Sequence, residues 1–480
     1  MQASRTVAAT EGVQEALIAM ATPLNVELAQ GMGFEVPQAL PAQLLIAVRA
    51  ADQTGLDAAD AALTAALAAR APSSVIGDGD QHRPTMTGTA LVGIDAALAL
   101  ISVPGPYAAI EAFDAIAAGR SVMVFSDGVT VDDEVALKRA GRDAGVLVMG
   151  PDCGTAIVSG VALGFANVVR RGSVGIVAAS GTGAQQVSSL LDTAGVGVSH
   201  LLGLGGRDLS AQVGGLGAEL ALTALDADPG TDLIVFVSKP ADPEVAERLQ
   251  RLTDAMSTPV HYALLGPGRP DLTQAVETVL RSLGVTVPAW PVVGQVGPAG
   301  ERADLHGYFA GGTLAAEALG LAADLAPIST NLGADAVPAT QALRGGPNVI
   351  VDFGEDELTA GRAHPMIDPT LRLDQIGRLS STSRGHVVLL LDVVLGHGAE
   401  PDPAQALVPA IRSATAAMAQ RGHGLGVVIS LCGTEADPQG WRGQAQALVD
   451  AGAVVFASNA QATRAAVGLA RGAMASATPG

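Results

Sequence analysis

The sequence predicts an α/β protein built from several doubly wound, mostly parallel sheets. Three observations carry that expectation. Short runs rich in Val, Ile and Leu recur along the chain, as at 121–125, 174–179, 233–237, 349–353 and 387–394. Such continuous apolar runs are typical of strands buried on both faces. Between them lie glycine-containing or polar turns and stretches with helical period, as at 107–118, 132–144 and 314–321. Strand–turn–helix alternation implies parallel pairing through helical crossovers. The 480 residues are 49% hydrophobic, with 59 glycines and only 3% aromatics, so small aliphatic side chains must fill the cores.

Taken in order, residues 1–70 read as a small N-terminal α/β domain. Residues 12–20 have helical spacing, 23–31 give a second helix, LLIAVR at 44–49 a strand, and 58–70 an Ala-rich helix. Residues 71–88 are a polar, Pro/Gly-rich linker, and His82 reads as a linker histidine. A domain over 90–170 follows: strand 95–103, helix 107–118, strand 121–125, helix 132–144 and strand 146–149. The next, over 172–287, has strands at 174–179, 233–237 and 260–265. After a second linker at 288–301 comes a domain over 302–475, with helix 314–321 and strands at 349–353, 387–394, 426–431 and, at the sheet edge, 454–457.

Composition narrows the function classes. The net charge of −20 disfavours phosphate-backbone binding, and the scarcity of aromatics disfavours base stacking, so nucleic acid is not an expected partner. Lys138 and Lys239 are the only lysines, which leaves an anionic substrate mainly to Arg, His and backbone N–H groups. Two cysteines, Cys153 and Cys432, give neither a disulfide framework nor a zinc pattern, and no metal site is expected. The first ten residues lack the apolar core of a signal peptide, and no apolar run is long enough to span a bilayer. The expected location is cytoplasmic, with no membrane partner.

The stretch that organises the chain is 174–183. A buried strand runs into Ser180-Gly181-Thr182-Gly183 and then into helix-compatible sequence. Free N–H groups and the dipole at such a helix start make an anion site, so these four residues are the expected phosphate ligands; the plain alternative is a capped βα turn. Further candidates follow other strands. Asp152 lies in GPDCGT, where a turn-capping role is the alternative. Arg207 in GLGGRD suits a substrate carboxylate, against a surface pairing with Asp208. Lys239, directly after a strand in a chain almost without lysine, is a candidate catalytic residue. Gly312 and Thr313 open a helix and are expected to touch substrate. Arg362 and His364, with Asp368, form a polar cluster held by Pro365 and Pro369, catalytic or structural. His397, between Gly396 and Gly398, reads as a histidine at a helix start, where the dipole disfavours its charged form.

These motifs carry a resemblance. SDGVTVDDEVALKRAGRDAGVLVMGPDCGT, GSVGIVAASGTG and LGLGGRDLS resemble the alpha subunit of succinyl-CoA synthetase. From Gly311 to about Ala457, GGTLAAEA, VDFGED and LLLDVVLGHGA resemble the C-terminal domain of its beta subunit. The whole arrangement, over residues 20–470, resembles the FdrA family of succinyl-CoA-synthetase-like proteins. The resemblance implies a Rossmann-like, CoA-binding-type domain at 90–170, a ligase-type domain at 172–287 and a flavodoxin-like one at 302–475. It also implies a facing pair of phosphate-binding helix starts, at Ser180–Gly183 and at Gly396, His397 and Gly398.

The departures matter too. No segment has the content of an ATP-grasp module, and residues 269–277 run directly into a helix where the synthetase carries its phosphohistidine loop. Nucleotide binding is therefore not expected. For the FdrA family the resemblance implies a subunit of an oxamate-type carbamoyltransferase in purine, allantoin and ureide catabolism. That enzyme turns oxalurate and phosphate into oxamate and carbamoyl phosphate, and the chain would work in a hetero-oligomer with other carbamoyltransferase subunits. The alternative is a CoA-binding, NDP-forming acyl-CoA synthetase (acid–thiol ligase) subunit lacking its ATP-grasp partner. No resident cofactor is expected beyond CoA, for which SVPGP at 102–106 resembles a contacting segment.

Overall fold

The computed structural model describes residues 2–21, 23–40, 43–68, 84–295, 301–333, 335–344, 346–359 and 362–472. The chain divides into two compact units, Met1–Arg83 with Thr359–Ala363, and Pro84–Leu358 with His364–Gly480.

The first unit contains α1 (Gln2–Ala8), β1 (Val13–Met20), α2 (Pro23–Gly31), β2 (Leu44–Ala50) and α3 (Gln53–Ala68). The two strands pair antiparallel, Ile18 opposite Ile46 and Met20 opposite Leu44, around a small core that includes Val7, Ile18, Ala59 and Leu63. Residues 13–20, expected to be helical, are thus a strand. VQEALIAM is rich in good helix formers, and pairing with a distant strand overrides that weak preference. Helix α3 also starts earlier than expected, at Gln53. His82 lies outside the described residues.

The second unit opens with α4 (Thr87–Leu91). A three-stranded parallel sheet follows, β3 (Leu98–Ile101), β4 (Ser121–Val124) and β5 (Val148–Met149), crossed by α5 (Gly105–Ala117) and α6 (Val131–Ala144). The next strands are β6 (Thr155–Val158), β7 (Val161–Gly164), β8 (Arg171–Ala178), β9 (Val198–Gly203), β10 (Leu233–Ser238) and β11 (Val260–Leu264). Their helices are α7 (Gly181–Thr193), α8 (Leu216–Asp226), α9 (Pro243–Asp254) and α10 (Leu272–Ser282). They form a six-stranded sheet in the order β11-β10-β8-β9-β6-β7. Its β8 to β11 strands are parallel, and the β6–β7 hairpin adds antiparallel to β9.

The last sheet is built from β12 (Val292–Val293), β13 (Asp304–Phe309), β14 (Ile328–Thr330), β15 (Asn348–Asp352), β16 (Val387–Val394), β17 (Leu425–Cys432) and β18 (Ala453–Phe456), with α11 (Gly312–Leu321) after β13. The strand order is β12-β18-β17-β16-β13-β15-β14, parallel except at β12. The expected edge strand therefore lies one position inside the edge, because Val292–Val293 of the second linker pairs antiparallel with it.

One apolar cluster joins the two large sheets. It runs from Ile176 and Leu190 through Leu314 and Phe309 to Leu390 and Ala466, each at most 1% exposed. Burying a side chain of the Leu or Phe class contributes about 1.5–3 kcal/mol. This shared core fixes the carboxyl ends of β8, β10, β13 and β15 against each other, and ligands of open α/β sheets bind at such ends.

Candidate functional site

Helix α7 begins as the sequence indicates. Ser180 is its N-cap, with backbone in the β region, and its Oγ accepts from Gly183 N at 3.0 Å. The same Oγ lies 2.5 Å from Thr313 Oγ1, in the first turn of α11. That helix has Gly311 at its N-cap and no side-chain cap, and among the described residues no side chain accepts from its first-turn N–H groups. The contact is close enough to require small residues. A Cβ at Gly183 would stand 3.0 Å from Thr313 Cγ2, and one at Gly311 would stand 2.8 Å from the Thr182 side chain. Two helix N-termini, one from each large sheet, therefore meet at one point.

Lys239, just beyond β10, faces the same point, its Nζ 3.4 Å from where a Gly312 Cβ would be. Among the described residues it has no ion pair. The other lysine is used quite differently. Lys138 is buried, with Nζ 2.7 Å from Glu134 Oε1, 2.7 Å from Asp208 Oδ1 and 3.0 Å from Leu204 O. So Ser180, Gly181, Thr182, Gly183, Gly312, Thr313 and Lys239, each singled out from sequence, gather at one place.

Three further acidic and basic groups surround them, and sequence reasoning missed all three. Asp352, at the end of β15, is 3% exposed, and a Cβ on Gly312 would collide with its Oδ2. Its Oδ1 accepts from Gly354 N at 2.8 Å. Burial, then the neighbouring Glu355 and Asp392, push the Asp352 carboxyl up to about 7, against the opposing pull of the Gly354 N–H and Lys239. Asp392, inside β16, accepts from Ala310 N at 2.7 Å and Gly311 N at 2.8 Å, holding the strand-to-helix turn. Arg372 pairs with it at 2.7 Å, both side chains buried. The sequence signal for the two aspartates was a polar residue in an apolar strand, which looks like any turn cap, and Arg372 is a single arginine in the helix Thr370–Thr382.

The expected Arg362–His364–Asp368 cluster is divided. Arg362 belongs to the Thr359–Ala363 segment of the first unit, its N–H bonded to Thr359 O at 2.9 Å. His364 belongs to the second unit, where its Nε2 lies 2.8 Å from a Cβ position on Gly354, next to Asp352. Burial, and then the positive Arg372, lower its imidazole to about 4, so it is neutral at pH 7. Asp368 instead accepts from Thr370 N at 3.1 Å and from Thr370 Oγ1 at 2.5 Å, just before the next helix.

Gly396, His397 and Gly398 are not a helix start. The helix that follows is Pro403–Gln420, capped by Asp402, while His397 N donates to Ala166 O at 2.9 Å in an isolated antiparallel bridge. The partner of α7 is the start of α11 instead. Arg207 does not pair with Asp208, which is turned inward to Lys138 and to Gly217 N and Ala218 N of α8. Arg207 bonds Val129 O at 2.8 Å and Glu134 at 3.0 Å. Asp152 sits at φ 55°, and shielding by surrounding protein, then Asp356 and Asp127, raise its carboxyl to about 6. Cys153 is buried, its thiol pushed up to about 12, and is unreactive as a thiolate.

The CoA-ligase profile matches residues 308–469, which span α11 and most of the last sheet. A second profile, described as AllF, heavy metal-associated domain, matches residues 1–84. Those residues contain no cysteine and one histidine, His82, and among the described residues no group of three His, Cys, Asp or Glu could hold a metal ion. This donor set does not fit a thiolate-bound soft metal. The alpha subunit of the ADP-forming succinate–CoA ligase of Methanothermobacter thermautotrophicus is 29% identical over 180 residues, 37% of this chain and 60% of that one. The acetyl-CoA synthetase 1 of Ca. Korarchaeum cryptofilum, solved with phosphate and ADP, aligns at 16% identity and a TM-score of 0.31, covering 79% of this chain and 83% of that one. YahF of Escherichia coli K12 is 34% identical over 485 residues, 94% of this chain and 91% of YahF. The chain therefore belongs to the YahF family, and it joins an AllF-type N-terminal domain to a CoA-ligase domain of succinyl-CoA-synthetase type.

Proposed function

We propose that this chain is a CoA-binding subunit of the acid–thiol ligase class, with the α7–α11 junction holding the phosphoryl group of an acyl phosphate. The observation that carries this reading is the Ser180–Thr313 contact, which joins two helix N-termini beside Lys239. Dipoles and free N–H groups from two helices favour an anion at that point. In the reaction the CoA thiol gives up its proton, its sulfur bonds to the acyl carbon, the carbon–oxygen bond to phosphate breaks, and the phosphate leaves as hydrogen phosphate, taking up that proton. The N–H groups of both helices and Lys239 stabilise the charge that develops on it. His364 is neutral at pH 7 and adds no charge beside the junction. CoA supplies the thiol. Its expected place is at the ends of β3 and β4, where Gly105 opens α5 so close to the Asp127–Gly128 backbone that a Cβ would collide.

A specific observation favours a second reading. After β11 the chain reaches the α10 cap at Asp271 through Gly266–Pro270 without a histidine, so a phosphoryl relay has no carrier there. An oxamate-type carbamoyltransferase needs none. A phosphate oxygen attacks the carbamoyl carbon of oxalurate, the carbon–nitrogen bond breaks, and the oxamate nitrogen takes a proton. In that reading the same junction holds phosphate and then carbamoyl phosphate, and partner subunits complete the substrate site.

Calorimetry and thermal shift on the full-length protein with CoA, inorganic phosphate and carbamoyl phosphate separate the two. Saturable CoA binding, with thioester formed from acetyl phosphate, is the expected result. Stabilisation by carbamoyl phosphate but not by CoA moves the assignment to the second reading. Binding of none of the three removes both.

A further inference from the structure

Resting on the reading of the α7–α11 junction as an anion site, we propose that Asp352 makes anion binding there proton-coupled: its Oδ2 faces the incoming anion, so a dianion is held only when that oxygen carries a proton and donates it. The geometry is specific. The carboxyl is 3% exposed and its Oδ1 is already bonded to Gly354 N. Its Oδ2 has no hydrogen-bond partner among the described residues and abuts Gly312, the first residue of α11. An ionised carboxylate in that position would itself act as the anion of the helix start and of Lys239, and would repel any other. A neutral one becomes a donor beside the N–H groups of α11.

The surrounding groups agree. On its own turn stands Glu355, which raises the Asp352 carboxyl. From β16 comes Asp392, which raises it too but is paired with Arg372 at 2.7 Å. From the loop after β10 comes Lys239, which lowers it. His364 is neutral through the neutral range, its imidazole lowered to about 4, so it supplies no proton there. The net result is a carboxyl that titrates at about 7 with the site empty. The sign follows. Below about 7 the proton is already present and binding takes up none. Above it each bound dianion draws one proton from solution, and affinity falls about tenfold per pH unit.

Sulfate is the probe, because it stays a dianion across the whole range and any proton taken up must go to the protein. The full-length chain is titrated with sulfate between about pH 6 and pH 8.5, in buffers of differing ionisation enthalpy. The expected result is uptake approaching one proton per sulfate at the alkaline end, and loss of that uptake with a flattened pH profile in Asp352→Asn. His364→Gln keeps the uptake. Sulfate binding without proton uptake in the wild-type protein overturns the proposal, as does unchanged uptake in Asp352→Asn or lost uptake in His364→Gln. Should Asp352→Asn fail to fold, the wild-type and His364→Gln titrations decide alone. Absence of any saturable sulfate or phosphate binding to the wild-type protein overturns the junction as an anion site altogether, a result distinct from binding without uptake.

Discussion

Two glycine turns end long buried strands in this protein, and they behave differently. Ser180–Gly183 follows β8, and Gly396–Gly398 follows β16. In the first, the chain enters α7 at once, Ser180 caps it, and the Ser180 hydroxyl meets Thr313 in the first turn of α11. In the second, several residues intervene before the Pro403–Gln420 helix, and the His397 N–H is bonded to Ala166 O. Glycine near a strand end does not by itself open a helix N-terminus. The helix must begin within the turn, because the orphan N–H groups and the dipole act only over the first turn.

The largest effect that would sharpen this contrast comes from Gly183→Val. A Cβ there stands 2.5 Å from Ser180 Oγ and 3.0 Å from Thr313 Cγ2, so branching forces the two helices apart. The expected outcome is a loss of sulfate affinity of about a hundredfold or more, with about 3 kcal/mol of stability lost to overpacking. Gly396→Ala, at φ 121° and against the Ala166 backbone, should also destabilise the fold, yet its folded fraction should bind sulfate normally. Calorimetry paired with denaturant unfolding reads both quantities, and equal loss of binding in the two variants would erase the distinction.

A smaller effect is expected from Lys239→Met. Removing one charge-assisted hydrogen bond to a bound anion costs about 1.5–3 kcal/mol, roughly ten- to a hundredfold in affinity. The melting temperature should stay put, since Lys239 has no ion pair among the described residues. A variant that melts early while binding sulfate as tightly as before would make Lys239 structural.

The smallest expected effect is that of Ser180→Ala, about 1 kcal/mol from a lost cap, with only a few-fold change in sulfate affinity. Combined with Thr313→Val in a double-mutant cycle, it should show coupling, because the two hydroxyls touch. Additive free energies would mean that the contact does not tie the helices together.

Much of the fold was legible because parallel strands buried on both faces leave continuous apolar runs, as at Val387–Val394, whose bounds the sequence alone defines. Val13–Met20 was not, since its helix-forming residues give no hint of the antiparallel partner at Leu44–Ala50. At the site, Ser180 and Thr313 were legible as helix starts, but their meeting was not, because it depends on two sheets docking through a shared core. Asp352, Arg372 and Asp392 were missed for the same reason: a lone charged side chain acquires its role from groups elsewhere in the sequence. His397 was misread because a turn alone does not reveal how soon the following helix begins.

The Ser180–Thr313 contact has a consequence for how this protein works as a machine. One hydroxyl follows a strand of the six-stranded sheet and the other a strand of the seven-stranded sheet, so neither half alone forms the proposed anion site. On the proposed reading, an anion seated there would act as a clamp between the halves, and its occupancy would report on their docking. Any partner, substrate or substitution that loosens the apolar contact between the sheets lowers ligand affinity without touching a ligand-binding residue, about tenfold for each 1.4 kcal/mol of docking energy once the undocked state predominates.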